Sequence, residues 1–310
     1  MSVILQVNNL SKQFDTIKAV DDLSFSVHKG DVYGFLGQNG AGKSTTIRML
    51  LTLIRPTSGS IEIFGKQLST HRHEILSKIG AIIERPDLYK YLSAYHNLAI
   101  FAKMSGLKVT RKLIMDQLDM VGLADRSDSK VKTFSQGMKQ RLGIAVALVH
   151  NPELIILDEP TNGLDPQGIA DMRNLILQLS RSMGKTVIVS SHLLSEIELI
   201  ANRMIIIHKG KKVAEGVVEE LLDPSKTMVL IETTDNANTL GKIRLLHPQW
   251  TAVIKGKFIQ VNMDKNLVPQ LIAELTGMAI SIISVQPRHS LEDYFLSLTN
   301  ADNHVELIAD

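Results

Sequence analysis

The sequence predicts an α/β domain followed by a smaller α+β domain, and three features carry that expectation. Short apolar segments alternate with helical stretches through about residue 222, the order that builds a helix-covered sheet. Those segments are apolar at successive positions, as in parallel strands buried on both faces. Past "LLDPSKT" (221–227) the order changes to strand, helix, hairpin, helix and strand. The 310 residues give room for about two domains.

In chain order the clear strands are "VYGFL" (32–36), "KIGAII" (78–83), "LIILD" (154–158), "TVIVSS" (186–191) and "RMIIIH" (203–208). Between Arg85 and His150 the pattern is helical, in "YHNLAIFAKMSG", "RKLIMDQLDMVGL" and "MKQRLGIAVALVH". A helical subdomain over about 85–150 is therefore expected, inserted into an α/β core spanning 1–222. In 226–310, "MVLIET" reads as a strand and "NANTLGKIRLLH" as a helix. "TAVIKGKFIQVNM" reads as a hairpin turning near Gly256, "KNLVPQLIAELTG" as a helix and "ISIISVQ" as a strand. That βαββαβ order is ferredoxin-like, and "SLEDYFLSLT" is expected to add a last helix.

Hydrophobic residues make up 44% and charged residues 21%, the profile of a soluble globular protein. A net charge of +2 does not point to a nucleic-acid-binding surface. With no cysteine, disulfides and thiolate metal sites are excluded. "MSVILQVNNLSKQF" has neither the basic start nor the long apolar core of a signal peptide. No apolar run approaches the ~20 residues of a membrane span, so any membrane role is expected to run through a partner.

"GQNGAGKST" comprises Gly37, Gln38, Asn39, Gly40, Ala41, Gly42, Lys43, Ser44 and Thr45. It follows a strand, opens a helix and fits the phosphate-loop pattern in full. Its glycines let backbone N–H groups curl around phosphate oxygens, and the helix N-terminus adds partial positive charge. Lys43 is expected at the β- and γ-phosphates of ATP and Ser44 at Mg²⁺. "LIILDE" brings Asp158 to a strand's carboxyl end as a second Mg²⁺ ligand, with Glu159 beside it as general base. Two acids in a solvated turn is the plainer reading, and the phosphate loop upstream argues against it.

"FSQGMKQR" (134–141) looks like a second anion-binding mouth. Ser135 suits a helix N-cap, and Leu142, Ala145, Val146 and Val149 are expected on an apolar face of the helix behind it. "GQNGAGKST", "FSQGMKQR", "LIILDEP", "TNGLDP" and "SSHLLSEIE" occur in that order. On these motifs the chain resembles the nucleotide-binding subunit of ABC transporters over about residues 3–222. The resemblance implies a P-loop ABC ATPase core acting as a head-to-tail dimer, most simply a homodimer, beneath a permease on a separate chain. It implies a cytoplasmic protein, peripheral on the inner face of the cell membrane. Ser135 and Gly137 would then face the γ-phosphate held by the other subunit, and Asp165 would bridge the subunits. His192 would be the switch histidine at the γ-phosphate, and Phe14 would stack on adenine.

Two departures from the family pattern stand out. The signature tip reads Phe134, Ser135, Gln136, Gly137, Met138, bulkier than the usual L-S-G-G-Q. Glu84 stands where the family has a glutamine that touches Mg²⁺ and the attacking water. Glutamate keeps an oxygen ligand, adds a charge and removes a donor. This variant resembles the subgroup exporting bacitracin and lantibiotics; the plainer reading is a surface acid paired with Arg85. Tyr89, Tyr91 and Tyr95 follow closely, as at an interface receiving a membrane subunit, or as core residues. A soluble ABC ATPase acting on nucleic acid or ribosomes is the alternative class. Such chains carry tandem cassettes or a long coiled coil, and this one has a single motif set and no heptads. A non-enzymatic regulator is disfavoured by Lys43, Asp158, Glu159 and His192 all being present.

Overall fold

A hairpin of β1 (Val3–Phe14) and β2 (Ile17–His28) opens the chain in the computed structural model, which describes residues 2–221 and 227–289. Then β3 (Val32–Leu36) runs into α1 (Lys43–Leu50), and β4 (Ser58–Ile63) and β5 (Lys66–Gln67) follow. The short α2 (Arg72–Leu76) leads to β6 (Ile79–Ile82). Three helices come next: α3 (Ala94–Met104), α4 (Arg111–Met120) and α5 (Gln136–Leu148). The chain then alternates β7 (Leu154–Asp158), α6 (Pro166–Arg181), β8 (Thr186–Ser191), α7 (Leu194–Ile200) and β9 (Arg203–His208), before β10 (Lys211–Val217).

Five strands form the parallel sheet that the apolar runs predict, with β10 antiparallel at one edge in the order β10-β9-β3-β8-β7-β6. Every residue of β3, β7 and β8 is buried. A second sheet, antiparallel and ordered β2-β1-β4-β5, stands apart from the runs that define the first. Its strands alternate instead: Leu23, Phe25 and Val27 are buried while Ser24 and Ser26 are half-buried, as one buried face requires. Leu5, Val7, Phe25, Tyr33, Phe35, Ile47 and Leu50 share one core, so the hairpin, β3 and α1 are packed together. Each such side chain contributes about 1.5–3 kcal/mol on full burial. Tyr33 Oη also donates to Glu215 Oε1 at 2.9 Å. Burial, and then the Glu215 charge, raise the Tyr33 hydroxyl well above its ordinary pKa.

The helices α3, α4 and α5 occupy the span expected for an inserted subdomain. The expectation of one apolar face on α5 is corrected: residues 142–145 and 147–149 are all buried, and Val146 is only half-buried. The helix is enclosed by α3, α4 and β6, and a helix buried on most sides must be apolar nearly all round. Gly143 lies against Pro86 and Ile82, where a Cβ would have no room.

The chain divides into two compact units, Met1–Val217 and Val218–Asp310. The second begins with α8 (Val218–Leu221) and continues with β11 (Thr227–Thr233), α9 (Asn236–Leu246), β12 (Thr251–Lys255), β13 (Phe258–Met263), α10 (Val268–Gly277) and β14 (Ile282–His289). The sheet order β12-β13-β11-β14, antiparallel throughout, is the ferredoxin-like arrangement of that βαββαβ order. Its core joins Val229, Ile231, Ile243, Val261, Leu271 and Leu275. Residues 222–226, where the sequence places the boundary, and the helix expected at "SLEDYFLSLT" lie outside the described residues.

Candidate functional site

Three neighbouring strands, β3, β8 and β7, bring their carboxyl ends together. Leu36 lies opposite Ser191, and Asp158 opposite Ser190. Ligands bind at this edge of open α/β sheets.

From β3 the chain enters the loop 37–42 and turns into α1 at Gly42, whose φ of 106° suits only glycine. A Cβ there would sit 2.5 Å from the Ala19 carbonyl oxygen. No side chain caps α1 and no acid stands in its first turn, so its N–H groups and dipole are left for an anion. Gly37 and Ala41 are buried, Gln38, Ser44 and Thr45 half-buried, and Asn39 and Gly40 exposed. Lys43 is only 5% exposed and folds back onto the loop. Its Nζ donates to Gly37 O at 2.6 Å and Gln38 O at 3.1 Å, and lies 3.2 Å from Glu159 Oε1.

Glu159 has a left-handed φ of 49°, a conformation that costs a non-glycine residue about 1–3 kcal/mol and clusters at active sites. Its Oε2 is 2.9 Å from His192 Nδ1, so Lys43, Glu159 and His192 form one connected line. Asp158 is fully buried; its Oδ1 accepts from Ser190 Oγ at 2.5 Å, and that hydroxyl accepts the Glu159 N–H at 2.8 Å. Among the described residues five buried side-chain polar atoms lack a hydrogen bond, and three are here: Gln38 Nε2, Asp158 Oδ2 and Glu159 Oε1, the last held only by its ion pair with Lys43. An unsatisfied buried group costs about 1–3 kcal/mol, so the site is built for a ligand that supplies the missing partners. The Asp158 carboxylate and the Ser44 hydroxyl are hard oxygen donors suited to Mg²⁺.

Two predicted residues make contacts outside the line of Lys43, Glu159 and His192. Glu84, at φ 57°, lies two residues past the end of β6 and pairs with Arg48 Nη2 at 2.5 Å, so its surface partner is Arg48 rather than Arg85. Among the described residues no hydrogen bond or ion pair links it to Asp158 or Glu159. Phe14 is exposed at the end of β1, with Lys12 Nζ 4.8 Å above its ring. Tyr89 and Tyr91 are 51% and 79% exposed, which rules out a core role, and Tyr95 is half-buried. Asn97, fully buried, holds their loop: its Oδ1 accepts the Tyr89 N–H at 2.8 Å and its Nδ2 donates to Tyr89 O and Ser93 O.

The second mouth is separate from the first. Ser135 caps α5, its Oγ accepting the Met138 N–H at 3.2 Å. Asp165 caps α6, its Oδ1 accepting the Gly168 N–H at 2.8 Å. Both helix starts open on one cleft of about 340 Å³ that also includes Gly137, Arg141, Gly163 and Leu164, and no phosphate-loop residue lines it. Sequence reasoning singled out neither Ser190 nor Ser191. A serine in a buried strand carries no pattern of its own, and only its place beside an acidic motif could have marked it.

The family model described as ABC transporter matches residues 20–162. The bacitracin transport ATP-binding protein BcrA of Bacillus licheniformis is 49% identical over 302 residues, which span 96% of this chain and 98% of that protein. The lantibiotic transport ATP-binding protein SrtF of Streptococcus pyogenes is 45% identical over 212 residues, 68% of this chain and 90% of SrtF. The ATP-binding cassette MJ0796, solved as a post-hydrolysis dimer bound to ADP and Pi, superposes with a TM-score of 0.63 at 25% identity, over 69% of this chain and 99% of that one. Among the described residues no helix is long and apolar enough to cross a membrane. With a phosphate loop, paired acids and a histidine gathered at one sheet edge, and near-complete alignment to BcrA, the chain belongs to the ATP-binding proteins of ABC transporters.

Proposed function

We propose that this ATPase drives export of peptide-type antibiotics, working as a head-to-tail homodimer under a permease on a separate chain, at the cytoplasmic face of the membrane. The observation that carries the dimer is the separation of the two mouths: the cleft holding Ser135, Gly137 and Asp165 shares no residue with the phosphate loop. The Ser135 cap satisfies one N–H of the first turn of α5 and leaves others for an anion, and a second chain supplies it. The antibiotic class rests on the bacitracin and lantibiotic relatives and on Glu84 in the place of the usual glutamine.

In this reading the loop N–H groups of 37–45 cradle the phosphates, and Lys43 exchanges its contact with Glu159 for the β- and γ-phosphates. Glu159, released, takes the proton of the attacking water, while His192 orients its carboxylate and contacts the γ-phosphate. Ser44 and Asp158 would hold Mg²⁺, which would neutralise charge on the phosphates; Glu84 would become a further oxygen ligand only by leaving Arg48. Phe14 stacks on adenine, and Asp165 meets the partner subunit. Tyr89 and Tyr91, on their braced loop, receive the permease.

Mixing Lys43→Ala with Ser135→Arg tests the arrangement. Each variant alone has both composite sites damaged. A mixed dimer has one doubly damaged and one intact site, so ATPase activity should return on mixing. Neither regained activity nor a mixed ATP-bound dimer would refute the two-chain site. Resistance to bacitracin in cells given this chain together with a candidate permease chain tests the substrate class, and unchanged sensitivity would refute it.

A further inference from the structure

Behind the histidine, one carboxylate holds two loops that the chemistry needs. Glu196, half-buried in the first turn of α7, accepts from Ser191 Oγ at 2.6 Å and from Thr161 Oγ1 at 2.9 Å, both at Oε2. Ser191 Oγ in turn accepts the Leu193 N–H at 3.0 Å, so the backbone on both sides of His192 is pinned to Glu196. Thr161 opens the loop that ends at Asp165, the cap of α6 and part of the Ser135 cleft. A small cavity walled by Ile169, Ile176, Val189, Ile197 and Ile200 lies against these groups. Apolar surroundings strengthen the hydrogen bonds and make their loss costly.

We propose that Glu196 is a positioning residue for ATP hydrolysis, which locks the His192 loop and the Thr161–Asp165 loop into one unit. His192 then keeps Nδ1 on Glu159 Oε2 only while Glu196 fixes its backbone. The loop bordering the Ser135 cleft moves with it, so the two mouths of one chain are mechanically joined. This inference rests on the hydrolytic roles proposed for Glu159 and His192.

The test compares Glu196→Ala, Glu196→Gln, Ser191→Ala and the Ser191→Ala/Glu196→Ala pair, with Glu159→Gln as control. Misplaced catalytic geometry without lost binding predicts that Glu196→Ala lowers kcat by about tenfold or more. KM for Mg-ATP and the melting temperature should stay near those of the native protein. Glu196→Gln keeps an oxygen that can accept both hydroxyls and should recover most of the rate. The double variant should be no slower than Glu196→Ala, because Ser191 acts through Glu196. A native rate in Glu196→Ala, a glutamine as slow as the alanine, or a rate loss matched by losses in nucleotide affinity and melting temperature overturns the proposal. If Glu159→Gln also hydrolyses ATP at the native rate, the hydrolytic reading itself has failed; if it is slow while Glu196→Ala is normal, only Glu196 has.

Discussion

Replacing Ser190 with alanine removes one oxygen from the most enclosed part of the site. That hydroxyl is fully buried, donates to Asp158 Oδ1 at 2.5 Å and accepts the Glu159 N–H at 2.8 Å. A hydrogen bond to a charged group contributes about 1.5–3 kcal/mol, and stranding a buried N–H costs about 1–3 kcal/mol. Both losses come from one atom and are not additive, so about 3 kcal/mol is expected overall. For a unit spanning Met1–Val217, each kcal/mol lowers the melting temperature by about 2–4 °C, giving a fall of roughly 6–12 °C. Scanning calorimetry without nucleotide reads this directly. Mg-ATP at about 100 times its Kd should stabilise the native protein by about 2.7 kcal/mol. The variant should gain less, because its Asp158 is no longer held. A melting temperature within about 2 °C of native, with an unchanged nucleotide response, would refute the view that Ser190 braces both acids.

Two further outcomes are expected. Glu84→Gln breaks the Arg48 pair, whose side chains are 41% and 65% exposed. Such a surface pair contributes at most about 1 kcal/mol, so stability should hardly change while ATP turnover or antibiotic resistance does. Unchanged turnover and resistance would reduce Glu84 to a surface partner of Arg48. In the second unit His247 Nε2 lies 2.6 Å from Glu274 Oε2, and its ring stacks on Trp250 at 3.7 Å. The hydrogen bond from His247, and then that from Gln270, hold the Glu274 carboxyl below its ordinary pKa. A depressed folded pKa means the contact stabilises the fold above the unfolded glutamate value and is lost as pH falls through the lower folded one. Trp250 is the chain's single tryptophan. Its fluorescence should therefore show an acid step below the usual glutamate pKa of about 4.3, which Glu274→Gln removes; a step that persists in that variant refutes the assignment.

Sequence by itself determined whatever depends on neighbours along the chain. A strand, a glycine loop and a helix are contiguous, so "GQNGAGKST" revealed the phosphate loop. Ser135 lies next to the helix it caps, and the βαββαβ order of the second unit is an order of local patterns. Tertiary structure alone decided what depends on register and packing. Ser190 braces Asp158 across 32 residues only because the two strands pair at those positions. Glu196 meets Thr161 across 35 residues. Glu84 meets Arg48 across 36, and no periodicity encodes such a meeting. The enclosure of α5 is likewise set by the three elements around it. Side-chain type and spacing fix what a segment can form, while sheet register and packing fix which distant groups share a low-dielectric space, and there a single hydroxyl or carboxylate becomes decisive.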